Sequence, residues 1–158
     1  MKTLSPFARV MHATAGVEIP LPLAIASIYG PLTLPAYAGR PLVISNFVTT
    51  LDGVVSLAVP GKEGGRAISG DNQHDRLLVA TLAAVADAIV IGGGTLRSSP
   101  GHIWTADALA PDFAAAFATL RQSLGKTGPP LNVVVTRDGD LDPAERLFQA
   151  GKVPVLVV

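Results

Sequence analysis

The amino-acid sequence predicts an α/β fold built on a mainly parallel central sheet with helices on both faces. Three observations carry that expectation. Short apolar runs rich in β-branched residues recur, as "LVISNFVTT", "DAIVIGG", "LNVVVT" and "VPVLVV". Stretches with apolar residues at helical spacing lie between them. The order strand, helix, strand, helix, strand, helix, strand is that of crossover units, not of hairpins.

Residues 1–40 carry Pro6, Pro20, Pro22, Pro31 and Pro35. Proline removes a backbone donor and stops helices, so an irregular N-terminal arm or packed-down leader is expected before a domain at 41–158. Residues 42–50 are apolar on both parities, the pattern of a central strand. Asp52-Gly53 is a turn dipeptide, after which "VVSL" can pair back, and "AVPGKEGGRA" reads as a flexible loop. Residues 72–86 are expected to be helical, capped by Ser69 or Asp71 and facing inward through Leu78, Leu82 and Val85. A strand at 88–92 enters "GGGT". A helix at 111–124 closes near Gly125, a strand follows at 131–136, and "DPAERLFQAG" gives a short helix behind Pro143. Residues 153–158 read as a buried strand, so the domain looks truncated at its C-terminal side.

Composition narrows the function. Half of the chain is apolar (49%), only 15% is charged, and the formal net charge is zero. Nothing there suggests a nucleic-acid surface. Cysteine is absent, which removes disulfides, thiolate metal sites and cysteine nucleophiles, and fits a cytoplasmic location. His12, His74 and His102 have no metal-ligand spacing, so no metal is expected, and His74 reads as a surface residue. No apolar run approaches the roughly 20 residues of a membrane span.

Three stretches are candidates for chemistry. Gly92-Gly93-Gly94-Thr95 ends an apolar strand. It is either a plain turn using glycine's backbone freedom or a phosphate seat. In "NFVTTLDG", Asn46, Thr50 and Asp52 share one parity and can form a polar wall; the simpler reading is a hairpin turn at Asp52-Gly53. In "VVVTRDG", Thr136-Arg137 suits a phosphate monoester, whereas a solvated arginine in a turn is the plainer alternative.

Taken together, "NFVTTLDG", "AISG", "ADAIVIGGGTLR" and "VVVTRDGDLDP", in this order and spacing, resemble the reductase domain of riboflavin biosynthesis. The resemblance implies a dihydrofolate-reductase-like fold and NADPH-dependent reduction of a ribosylamino-pyrimidine. By position it implies that Thr49 and Ala67 lie along the cofactor, and that Gly93, Gly94 and Thr95 meet the pyrophosphate. Ser99 stands where an aspartate usually contacts the cofactor. Thr136 and Arg137 fall at the adenosine 2′-phosphate, and Gly65 lies in the loop that approaches substrate. Asp52 and Asn46 become the candidate catalytic groups, and Thr50 a substrate contact.

The chain departs from the family at two phosphate-gripping arginines. Ala83 stands at one position, and "GHIWTAD" offers no arginine for the other. Arg97 is a candidate replacement on the substrate side. The expected function is therefore an NADPH-dependent reductase acting on a pyrimidine-like, other heterocyclic or carbonyl substrate. The alternatives are a true 5-amino-6-(5-phosphoribosylamino)uracil reductase and a non-catalytic nucleotide-binding module. Family members pair, so a homodimer, or a further chain completing the fold, is also expected.

Overall fold

The computed structural model describes residues 4–8, 15–36, 39–57, 59, 64–149, 151 and 153–158. Its centre is a parallel three-stranded sheet. Strands β3 (Ala88–Gly92), β4 (Leu131–Val135) and β5 (Val155–Val157) lie side by side in that order. Gly92 stands opposite Val135, and Val134 opposite Val157, so the carboxyl ends of the strands share one edge. β3 occupies the residues read from the sequence, and β4 and β5 fall inside their expected runs.

Helix α3 (Gln73–Val85) links toward β3, and α6 (Ala114–Ser123) links toward β4. Short helices α4 (Gly93–Ser98), α5 (Ala106–Leu109) and α7 (Arg146–Gln149) fill the connections, with one 3-10 turn at Pro111–Phe113. The cap of α3 is Asn72, not Ser69 or Asp71; its side chain accepts from the His74 N–H at 2.8 Å. The inward stripe of α3 also differs from expectation. Leu77, Ala80, Thr81, Ala83 and Ala84 are buried, while Leu78, Leu82 and Val85 are only half-buried. Small residues on the inner face let α5 and α6 come close to α3, which larger leucines would hold apart.

Two apolar clusters share Ile89 of β3. One joins Ile25, Leu77, Ala80, Ala84, Phe117 and Leu120. The other joins Ile91, Leu96, Val134 and Leu147, directly beneath the carboxyl edge of the sheet. A half-buried arginine ties the first cluster to the loops. Arg121 donates to the Ala84 and Ala86 carbonyls at 2.9 Å each and to the Gly128 carbonyl at 2.7 Å. It thereby closes the end of α3 with a positive charge, as the helix dipole favours.

Several expectations are corrected. The leader is not irregular throughout. β1 (Val17–Ile19) pairs antiparallel with β2 (Leu32–Leu34), and α1 (Leu23–Tyr29) between them buries Ile25 fully. Residues 42–50 form no strand, although their composition is that of one. A strand needs a neighbour to take its backbone hydrogen bonds, and among the described residues none lies alongside. Val43 and Phe47 are 85% and 73% exposed as a result. "VVSL" likewise makes only a turn, in which the Thr50 N–H donates to the Val54 carbonyl at 3.0 Å and Gly53 takes φ +86°. Half of the loop expected at 58–67 lies outside the described residues, as does His12, and its last residues, Gly65 to Ala67, are not loop but open a short helix.

β5 is not buried: Leu156 and Val157 are about half exposed, because β5 is an edge strand. Nor is the second face of the sheet covered by helices among the described residues. Val90, Val135 and Leu156 lie on the face opposite Ile91 and Val134, and all three are exposed. Among the described residues no helix is long and apolar enough to cross a membrane.

Candidate functional site

The glycine run at the end of β3 answers the question its sequence raises. None of Gly92, Gly93 and Gly94 has a positive φ, so the run is not a left-handed turn. Gly92 is extended and caps α4, which begins at Gly93 with no side-chain cap. Space at 93 admits a methyl group in ordinary contact. A Cβ there would lie 3.4 Å from both the Thr136 Cβ and the Leu141 Cδ2, and 3.5 Å from an Arg97 nitrogen. The β3–α4 turn and the loop after β4 therefore lie close together at Gly93. Alanine still fits at that separation, but branched side chains do not. Gly93→Ala should stay within about 1 kcal/mol of wild type, and Gly93→Val should cost roughly 1–3 kcal/mol. Urea unfolding midpoints check this; equal midpoints for valine and wild type would mean that the two loops do not touch.

Gly94, Thr95, Arg97 and Ser98 line an open groove of about 430 Å³ above this contact. One side is set by Arg97, whose Nη1 donates to the Asp140 carbonyl at 2.8 Å. On the other side the chain turns through Ser99. A Cβ on Gly64 would lie 3.8 Å from the Ser99 Oγ, and one on Gly65 would lie 2.9 Å from a Val48 methyl. The start of α2 (Gly65–Ser69) thus lies close to Ser99 and to Val48.

The candidate residues fall into two neighbourhoods. Gly93, Gly94, Thr95, Arg97 and Thr136 come together at the carboxyl edge of β3 and β4, the usual ligand edge of an α/β sheet. The second joins Ser99, beside Gly64, to Gly65, beside Val48 of the unpaired segment that also carries Asn46, Thr49 and Thr50. Ala67, one turn into α2, is exposed. Asn46 and Thr49 are exposed as well.

Asp52 is exposed and accepts from the Thr50 hydroxyl, and that hydroxyl accepts from the Val54 N–H at 3.0 Å. The pair therefore makes the turn. Arg137 is 95% exposed, with Asp138 at 3.7 Å as a loose ion pair. Thr136 Oγ1 accepts from the Gly139 N–H at 3.2 Å, which fixes the bend that carries Arg137 outward.

Ala83, the position that lacks the family's arginine, is a core residue at 4% exposure. An ion-pair cluster of three residues lies elsewhere, at the end of α2. Arg66 grips Asp71 through two nitrogens at 2.9 Å, and Arg76 adds a third bond at 3.1 Å. The hydrogen bonds from Arg66 hold the Asp71 carboxyl below the usual carboxylate range. No role is legible in the sequence for Asp140, whose carbonyl takes the Arg97 bond, or for Glu145, whose carboxylate accepts from the Gly101 N–H at 3.2 Å. His74 is half-buried, its ring 5.2 Å from that of Phe7 and its Nε2 2.9 Å from the Ser5 carbonyl, so it anchors the leader.

Residues 41–158 match the RibD C-terminal domain. The chain belongs to that family. Neither the curated proteins nor the solved structures gave a match. Membership explains the element order from β3 onward, and it assigns the chain to an oxidoreductase-type domain of the riboflavin-pathway kind. The mixed α/β architecture with its parallel sheet is compatible with the dihydrofolate-reductase-like fold of such domains.

Proposed function

We propose that the chain is an NADPH-dependent reductase acting on a small heterocyclic, pyrimidine-like or carbonyl substrate. One observation supports this most. In a member of the RibD C-terminal domain family, Gly93 and Thr136 lie next to each other at the carboxyl ends of two neighbouring parallel strands. That is where nucleotides bind in open α/β sheets. The residues fit the group. Gly93, Gly94, Thr95 and Ser99 would hold the pyrophosphate side, Thr136 and Arg137 the adenosine phosphate, and Thr49 and Ala67 its length. When bound, the cofactor supplies the hydride.

The chain's own residues then orient and shield. The α4 groove has no carboxylate in its lining to compete with an anion. The exposed Arg137 guanidinium offers paired donors to a phosphate. Gly65 and Thr50 approach the substrate, with Asp52 and Asn46 as the polar groups nearest the reacting centre. Arg97 has donors left beyond its bond to Asp140 and can meet a substrate anion. A guanidinium at position 83 is missing and its place is buried core, which favours a substrate other than the phosphorylated riboflavin precursor. The uncovered apolar face of the sheet supports a partner, a second copy or another chain, since such patches rarely stay exposed. A cytoplasmic reductase suits a chain without cysteine.

The test is NADPH fluorescence titration, followed by turnover with the phosphorylated pyrimidine. Saturable binding below about 1 mM is expected, the ordinary range for such ligands. No binding would overturn the proposal. Rapid turnover of the phosphorylated precursor would overturn its substrate part. Native mass measurement checks the partner: a stable, active monomer would count against it.

A further inference from the structure

Asp71 turns the chain from α2 into α3 and caps neither helix. Gly70 ends α2 in the left-handed region at φ +63°, and Asp71 follows it there at φ +62°. Among the described residues Asp71 alone, apart from glycines, has a positive φ. Glycine takes that conformation freely and aspartate at some cost, so a bare turn favours glycine. What glycine lacks is the carboxylate. Arg66 of α2 donates to both of its oxygens at 2.9 Å, and Arg76 of α3 donates to one of them at 3.1 Å. One acid thus ties two helices across their shared bend. Exposed ion pairs usually hold little, but a bidentate arginine in a network of three charges is the exception.

Among the described residues α2 has few other ties. It buries no residue and has no side-chain cap. Its one large apolar side chain, Ile68, joins neither apolar cluster. Its start lies beside Ser99 and beside Val48, and Val48 belongs to a segment without a strand partner. Arg66, the residue Asp71 grips, stands between Gly65 and Ala67.

We infer that Asp71 is a positioning residue: through Arg66 and Arg76 its carboxylate holds α2 against the start of α3, and with it Gly65 and Ala67. What Gly65 and Ala67 meet, substrate and cofactor, rests on the reductase reading; the clamp itself does not. Glycine at 71 separates turn from clamp, because it relieves the left-handed backbone and removes the carboxylate. Asparagine tolerates the same backbone and keeps one carbonyl acceptor without the charge. Alanine at 66 removes the partner and leaves the turn untouched.

The experiment uses the full chain as wild type, Asp71→Gly, Asp71→Asn and Arg66→Ala. Backbone order parameters from NMR relaxation are read at Arg66 to Ser69, with β3 as the control, and the Arg66 Nε–H resonance reports the ion pair directly. In wild type the α2 order parameters should be about 0.85, the value of rigid backbone, and in Asp71→Gly they should fall below about 0.6. The β3 values should stay at those of wild type, which shows that the fold is intact. Arg66→Ala should loosen α2 as much as Asp71→Gly, and Asp71→Asn should lie between glycine and wild type. NADPH affinity should fall about tenfold in Asp71→Gly if α2 is then in place about a tenth of the time, since apparent affinity scales with the competent fraction. It should recover in part in Asp71→Asn. A rigid α2 in Asp71→Gly, or a loosened α2 with NADPH affinity unchanged, would overturn the inference. A wild type that does not bind NADPH overturns the reductase reading alone, because the order parameters still decide whether Asp71 holds α2.

Discussion

Phe117→Ala should lower the stability of the chain by about 3–5 kcal/mol, the range for removing a large buried aromatic ring. Phe117 is 2% exposed and lies in the cluster of Leu77, Ala80, Ala84 and Leu120, with the Phe113 ring 6.3 Å away. Five of the eight other buried residues of that cluster are alanines, whose methyl groups cannot extend into the space left behind. The cavity would therefore persist, and the cost should lie at the upper end. A domain of this size has a total stability of about 5–15 kcal/mol, so the variant should unfold at much lower urea. Phe47→Ala is the contrasting substitution. Phe47 is 73% exposed, and its loss should change stability by less than about 0.5 kcal/mol. Urea unfolding of both variants checks the pair. A large loss for Phe47 would mean that residues 42–50 are packed in solution as the strand their composition suggests.

That contrast shows how far the sequence carries. β3 and β4 are legible because each is an isolated β-branched run between polar breaks. Residues 42–50 have the same signature and no ladder, since pairing is a property of two segments and periodicity reports only one. Helix α1 was hidden by the prolines around it, although Pro22 at its start and Gly30 at its end are ordinary boundary signals. The face of α3 was misread because leucine draws the eye and alanine does the close packing. At the site, the glycine run and Thr136 were visible as motifs, but the closeness of Gly93 to Leu141 and Thr136 was not. Asp140 and Glu145 meet Arg97 and Gly101 across 43 and 44 residues, a separation at which no local pattern exists.

Arg137→Ala should weaken NADPH binding by roughly 10- to 150-fold and leave NADH binding nearly unchanged. The figure follows from a charge-assisted guanidinium–phosphate contact of about 1.5–3 kcal/mol. NADP differs from NAD by the adenosine 2′-phosphate alone, so a residue that reads that phosphate affects one cofactor only. Arg137 meets the conditions for such a reader. It follows Thr136 at the carboxyl edge of β4, and its side chain is 95% exposed, so burial does not hold it away from a ligand. Its neighbour Asp138 is the competing influence. A carboxylate at that edge would favour the free hydroxyl of NAD and repel a phosphate. Asp138 lies 3.7 Å from Arg137, longer than a tight ion pair, and its Oδ1 sits 3.4 Å from both the Thr136 hydroxyl and the Asp140 N–H. The acid is thus drawn into the bend while the guanidinium stays available. Asp138→Asn should accordingly leave NADPH binding unchanged or tighten it slightly, because it removes a nearby negative charge. Titrating both cofactors against wild type and the two variants decides the assignment. Equal losses for NADH and NADPH in Arg137→Ala, or no loss for either, would remove Arg137 as the phosphate reader.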